Sequence, residues 1–132
     1  MASHSIDGNW RGHYTYATNP DGGSGFDANF VEEGAELSGD IMDDFWPGAA
    51  TISGTFAFPS LRFTKVYIGQ KLAPVNYQGT MNDDGKTMSG TWTVVDKEVS
   101  VRGNWTAYRT DQQSSKEAAK HSAVTEKVDE VY

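Results

Sequence analysis

The sequence contains no cysteine, so neither a disulfide nor a thiol nucleophile contributes to its structure or chemistry. No run of about 18 apolar residues occurs, which argues against a transmembrane helix. The first seven residues, MASHSID, lack a basic segment followed by an apolar run, so no secretory signal is visible. We therefore expect a cytoplasmic protein that does not associate with a membrane, with a removed signal as the alternative.

Basic residues and histidines are also scarce. Eleven Lys and Arg stand against eighteen Asp and Glu, for a net charge of −7, which argues against binding to nucleic acid. The three histidines are His4, His13 and His121, and no two of them have metal-ligand spacing. No nucleophile elbow or phosphate-binding glycine loop precedes a helix. The sequence thus predicts no catalytic residue, no metal site and no cofactor.

Short segments of alternating apolar and polar residues fill most of the chain. Such period-two alternation indicates strands with one buried face. The strands are expected at about 8–17, 25–32, 36–42, 50–58, 61–67, 75–81, 87–95 and 99–109. Turn clusters at 19–25 and 82–86 separate two of these pairs. Eight sequential strands with hairpin spacing predict an all-β fold, a single eight-stranded antiparallel up-and-down β-barrel in which the first and last strands meet.

A glycine recurs at the centre of four strands in an apolar–x–Gly–polar–apolar pattern. The four positions are Gly39, Gly54, Gly79 and Gly90. Each has the parity of the inward-facing residues on its strand. A bare backbone at these positions permits sharp coiling of a narrow barrel and leaves room for a neighbouring aromatic ring.

The composition changes after the last strand. Residues 111–115 read as a polar linker, and Val124, Val128 and Val131 form a thin apolar stripe with helical spacing. We expect residues 1–109 to form the barrel. Residues 110–132 are expected to form a linker followed by a short helix, either docked on the barrel wall or frayed.

A Gly-x-Trp at the start of the first strand and an Arg at the end of the last resemble the calycin superfamily of lipocalins, fatty-acid-binding proteins and avidins. The matching residues are Gly8, Trp10 and Arg109. The resemblance implies that Trp10 packs at the barrel floor and that Arg109 lies across it, where a guanidinium on an indole gains a cation–π contact. It covers about residues 8–109. The further lipocalin motifs and the helix pair of fatty-acid-binding proteins are not evident, and neither is the full biotin-binding set of avidins.

Strand direction places Trp10 and Arg109 at one end and the longer connections, 18–24, 43–48, 68–74 and 96–98, at the other. Ligand mouths of barrels are framed by such connections, so this second end is the expected mouth. The ligand-binding residues predicted there are Tyr16, Lys65, Tyr67, Tyr77 and Trp92 on inward-facing strand positions, with Phe45 and Trp46 on a loop.

Lys65 is a charged group on an otherwise apolar face. Burial of an unpaired amine is costly, so one interpretation is an anchor for an anionic or carbonyl-bearing apolar molecule. The other is that Lys65 extends past the rim to water. Three interpretations also stand for Phe45 and Trp46, which could form a lid, a protein-contact patch or, through Trp46, a plug in the barrel top.

Three functions follow from this pattern. The first is non-enzymatic binding of a small, mostly apolar ligand, anionic or carbonyl-bearing if Lys65 anchors it. The second is a filled barrel that acts as an interaction module through the 43–48 loop or the tail. The third is a small barrel enzyme, a cyclase or isomerase. The expected partner is a small molecule, and the expected state is a monomer or a homo-oligomer formed through the barrel wall. Barrels of this type support all three functions, so the fold alone does not choose between them.

Overall fold

The computed structural model describes residues 4–96 and 99–110, and these form an all-β structure. Its eight strands are β1 (Gly8–Tyr16), β2 (Asn19–Glu33), β3 (Glu36–Asp43), β4 (Ala49–Ala57), β5 (Ser60–Tyr67), β6 (Val75–Met81), β7 (Thr87–Asp96) and β8 (Val99–Arg109). Each strand pairs antiparallel with its neighbour in sequence, and β1 pairs with β8 to close the barrel. The predicted eight-stranded up-and-down barrel is confirmed.

Residues 111–132 lie outside the part of the chain that the structure describes. The predicted linker and C-terminal helix fall within them and stay predictions. Among the described residues, none belongs to a helix that could cross a membrane.

The prediction for the first hairpin is wrong in its boundary. Residues 19–25 were expected to form a turn, but β2 begins at Asn19, and only Ala17 and Thr18 connect it to β1. The register shifts between Tyr14 and Tyr16, and Gly23 opposite this irregularity has a φ of 112°. A bulge with glycine in this conformation lets the strand continue through a turn-like composition.

Aromatic rings fill the middle of the barrel. Phe63 stacks on Tyr77 with a centroid distance of 4.7 Å, and Phe30 and Trp105 pack against Phe63 at 5.5 and 6.3 Å. All four residues are buried. Dense edge-to-face and stacked packing of this kind excludes ligand from the barrel centre.

The central glycines allow neighbouring strands to approach closely. A Cβ atom on Gly54 would collide with the backbone of Arg62 and Phe63 on β5, and a Cβ on Gly79 would lie 2.8 Å from Cζ2 of Trp105. The glycine pattern therefore has both consequences expected of it: tight coiling of the sheet and space for a large ring.

Trp10 and Arg109 meet at one end of the barrel. Cζ of Arg109 lies 4.5 Å from the centroid of the Trp10 ring, as expected for a cation–π contact. The Arg109 guanidinium also donates hydrogen bonds to the carbonyls of Ser5, Asp7 and Gly85. These bonds hold the N-terminal segment across the floor.

The N-terminal segment that precedes β1 packs against the barrel floor. Ile6 is completely buried, and its carbonyl accepts a 3.0 Å hydrogen bond from the Trp10 indole. The His4 ring packs against Phe58 at the same end. This end of the barrel is therefore closed by Ile6 beneath Trp10, and access is left to the opposite end.

Candidate functional site

A cavity of about 440 Å³ opens at the end of the barrel opposite Trp10. It lies above the ring-filled centre, where the expected mouth was placed. We call it the mouth cavity. Its lining residues are Tyr14, Tyr16, Trp46, Pro47, Tyr67, Leu72, Ala73, Val75, Tyr77, Trp92, Val94, Asp96 and Val101. Six of these thirteen are aromatic, so the surface offered to a ligand consists largely of ring faces and edges.

Three of the lining rings form a compact group on one wall. Tyr14, Tyr16 and Trp92 contact one another edge to face, with centroid distances of 5.3 to 6.0 Å. The Trp92 indole donates a 3.0 Å hydrogen bond to the carbonyl of Thr15, which fixes the ring on β1. Gly103 on β8 leaves the space that Trp92 occupies, since a Cβ there would lie 2.7 Å from the indole.

Lys65 lies beneath the mouth cavity as part of a buried ion pair. It has an exposed fraction of 0%, and its Nζ donates a 2.8 Å hydrogen bond to Oδ1 of Asp43. The Tyr67 hydroxyl donates a 2.6 Å bond to the other carboxylate oxygen, Oδ2. The prediction that Lys65 faces inward is confirmed, and the alternative that it extends past the rim to water is wrong, because Asp43 supplies the partner that allows burial.

Three tyrosines surround the Lys65 amine. Its Nζ lies 5.3, 4.7 and 5.7 Å from the ring centroids of Tyr14, Tyr67 and Tyr77. Burial lowers the pKa of Lys65, and the bond to Asp43 opposes that change. Burial, followed by the charge of Asp43, raises the pKa of Tyr14 and Tyr77; for Tyr67 the hydrogen bond to Asp43 adds to burial. The tyrosines thus remain protonated and present neutral rings to the cavity.

Asp43 also belongs to this site, although the sequence did not predict it as a site residue. The sequence places it in the connection 43–48, whereas it is the last residue of β3 and is 2% exposed. The signal was present in the alternation, since Leu37, Gly39 and Ile41 predict an inward side chain at position 43. An inward carboxylate near the level of Lys65 is the partner that a buried amine requires.

The neighbouring Asp44 points to the outside of the barrel and anchors the same loop there. Both of its carboxylate oxygens accept hydrogen bonds from Arg11 of β1, at 2.8 and 2.6 Å. These bonds raise the pKa of the Arg11 guanidinium and lower the pKa of Asp44. The backbone N–H of Asp43 also donates to the Gly48 carbonyl. Residues 44–48 are therefore fixed at their base from both sides of the wall.

Phe45 and Trp46 project from this fixed loop into solvent, with exposed fractions of 74% and 71%. Trp46 and the following Pro47 form one side of the mouth cavity. The interpretation of Trp46 as a plug is wrong, because a plug would be buried in the barrel top. Phe45 is not among the lining residues.

The structure brings together five of the seven predicted ligand-binding residues around one cavity: Tyr16, Trp46, Tyr67, Tyr77 and Trp92. Lys65 lies below it, and Phe45 lies outside it. Leu72 and Ala73, on the connection between β5 and β6, also line the cavity and were missed. Loop residues have no fixed parity, so the alternation of the strands gave no sign of their direction.

Other depressions lie on the outer wall of the barrel and not inside it. One of about 350 Å³ on β4–β7 is lined mainly by Ser, Thr, Asn and Gln side chains. Two more, of about 580 and 550 Å³, lie on β4–β7 and on β1–β4. Among the described residues, no group of three or more His, Asp or Glu side chains is arranged to hold a metal ion. No protein-family model and no curated protein matches the chain.

Proposed function

We propose that this protein binds a small, mostly apolar ligand in the mouth cavity and that it does so without catalysis. The observation that carries the proposal is a cavity of about 440 Å³ lined largely by aromatic side chains, directly above a densely packed core. Concave, mostly apolar sites with a few polar groups are typical of small-molecule binding. A rigid barrel that is closed at one end keeps such a cavity preformed, which lowers the entropic cost of binding.

Membership of the calycin superfamily is part of the same proposal. It is supported by the contact between Arg109 and Trp10 at the closed end and by the pairing of the strands that carry them. This is the packing that the resemblance implied for Trp10 and Arg109. The ligand is then expected to enter from the opposite end.

The role of Lys65 in this proposal differs from the anchor first considered. Its amine already donates to Asp43, and the Tyr67 hydroxyl donates to the other carboxylate oxygen. The amine is fully buried among the rings of Tyr14, Tyr67 and Tyr77, so an anionic ligand would have to move these rings to reach it. The enclosure of Lys65 therefore favours a ligand held by contacts with the aromatic rings over one anchored by the Lys65 amine.

The test is a fluorescence titration of the full chain with N-phenyl-1-naphthylamine, a neutral apolar probe. Saturable one-to-one binding, seen in both probe emission and tryptophan quenching, is expected. Val101→Trp adds bulk to the cavity wall and is expected to weaken binding at least about fivefold, which is of the order of the loss of a few ring contacts. Val95→Trp is the matched control, because Val95 has outward parity on the neighbouring strand β7, is exposed and does not line the cavity.

Two results would reject the proposal. One is absence of saturable binding by the folded protein. The other is equal weakening by Val101→Trp and Val95→Trp, which would mean that the probe does not bind inside the mouth cavity.

The exposure of Phe45 and Trp46 favours one second candidate, a protein-interaction module. Two large apolar side chains held in solvent by a fixed loop are typical of contact residues at protein interfaces. This candidate predicts concentration-dependent association in sedimentation experiments that is lost in Phe45→Ser or Trp46→Ser. A protein that stays monomeric at all concentrations would exclude self-association through these two residues.

A further inference from the structure

The charge distribution around the mouth cavity indicates which kind of apolar ligand it accepts. Among the described lining residues, the side chain with a formal charge is the carboxylate of Asp96, at the end of β7 on the rim. The Lys65–Asp43 pair lies beneath the lining tyrosines and carries no net positive charge, whichever partner holds the proton. The described lining therefore presents a negative rim over aromatic walls.

Aromatic walls complement a cation. The faces of Tyr and Trp rings carry negative quadrupole potential and attract ammonium groups within about 6 Å of their centroids. The structure already shows this behaviour one layer down, where Nζ of Lys65 lies within that distance of Tyr14, Tyr67 and Tyr77. Tyr16, Trp46 and Trp92 offer further rings within the cavity itself.

The charge of the whole chain acts in the same direction. A net charge of −7 raises the local concentration of cations near the surface and disfavours the approach of anions. An anionic ligand would meet Asp96 at the rim and find no unpaired cation among the described residues that line the cavity.

We propose that the mouth cavity selects a small organic ammonium ion with an apolar body, with Asp96 as the rim counter-ion and the aromatic walls around the cation. This inference rests on the proposed binding function and specifies its ligand class. Binding needs no covalent step and no proton transfer.

The experiment compares two ligands of nearly equal shape, phenyltrimethylammonium and its uncharged carbon analogue tert-butylbenzene, by displacement of N-phenyl-1-naphthylamine from the full chain. The ammonium ion is expected to bind about threefold to tenfold more tightly, as an aromatic site of this exposure would provide. Added salt is expected to reduce this preference, because Asp96 lies at the solvent-exposed rim.

Asp96→Asn tests the counter-ion and Asp40→Asn is its control. Asp40 is exposed on the outer wall of β3, so its substitution changes the net charge equally without altering the cavity. Asp96→Asn is expected to weaken phenyltrimethylammonium about threefold and leave tert-butylbenzene unchanged. Asp40→Asn is expected to change neither.

The outcomes separate the two proposals. Equal or tighter binding of tert-butylbenzene, or a preference for the ammonium that Asp96→Asn does not reduce, would overturn the inference while leaving apolar binding in place. If neither ligand binds and the neutral probe does not bind either, the inference and the binding function on which it rests are both overturned.

Discussion

Asp43 and Lys65 show how this barrel accommodates charge in its interior. The alternation of β5 predicts that Lys65 faces inward, and the structure places it there with no exposure. The alternation of one strand does not identify the residue on another strand that pairs with Lys65. Burial of the amine is tolerated because Asp43 of β3 and the rings of three tyrosines enclose it.

Removal of the Asp43 charge is predicted to destabilise the fold strongly. Asp43→Asn leaves the buried amine without a counter-charge, and we expect the free energy of unfolding in urea to fall by about 3–5 kcal/mol. Asp44→Asn is the adjacent control; it breaks a partly exposed pair with Arg11 and should cost at most about 1 kcal/mol. The double variant Asp43→Asn, Lys65→Met should recover much of the loss. Equal effects of the two single substitutions would contradict the buried pair.

The tyrosines around Lys65 predict a loss of stability in alkali. Burial raises the pKa of Tyr14, Tyr67 and Tyr77 above the ordinary value of 10.0, so the unfolded chain releases these protons first. Their contribution to stability is therefore complete below pH 10 and is lost as the pH rises beyond it. Lys65 acts oppositely: its lowered pKa makes its contribution grow with pH up to its ordinary value of 10.5. Above that value the tyrosines make stability fall with pH.

Phenolate absorbance, followed together with circular dichroism, measures this directly. Three of the six tyrosines are expected to ionise only as the barrel unfolds. Ionisation of all six with the barrel spectrum intact would show that these rings are not enclosed as described.

At the scale of elements, the glycine-centred strands determine how tightly the sheet coils. Their inward parity was evident in the sequence, and the close approach of β4 and β5 at Gly54 follows from it. The extent of β2 was not evident in the sequence, because residues of a type that usually forms a turn lie instead in a bulged strand. Turn composition indicates which conformations a segment tolerates, and strand pairing decides which one it adopts.

Gly54→Ala is predicted to destabilise the barrel by at least about 2 kcal/mol, because a Cβ there would strike the β5 backbone, which cannot move without disturbing the strand pairing. Gly34, in the turn between β2 and β3, has a φ of 64° and no neighbour within 4 Å of an added Cβ. Asparagine tolerates this conformation, so Gly34→Asn is expected to lower the free energy of unfolding by less than about 1 kcal/mol. Thermal unfolding of the two variants provides the comparison. Similar melting temperatures would contradict the close approach of the strands.

At the scale of the molecule, the barrel has a closed floor, a filled centre and an open mouth. Strand count, closure and the choice of open end could all be predicted, since alternation gives the strands and strand direction gives the ends. The closure of the floor by Ile6 could not be predicted, because it depends on the N-terminal segment folding back under Trp10. The division between filled centre and empty mouth also depends on how rings from several strands pack together, which no single strand specifies.

The most direct test of this description uses the indole N–H resonances of the four tryptophans in a ¹⁵N-labelled protein titrated with the neutral probe N-phenyl-1-naphthylamine. Trp46 and Trp92 line the mouth cavity, whereas Trp10 lies at the sealed floor. Saturable shifts of the Trp46 and Trp92 signals, with the Trp10 signal unmoved, are expected. No shift in any indole, or shifts confined to amides of the outer-wall residues Thr64 and Gln78, would contradict a ligand site in the mouth of the barrel.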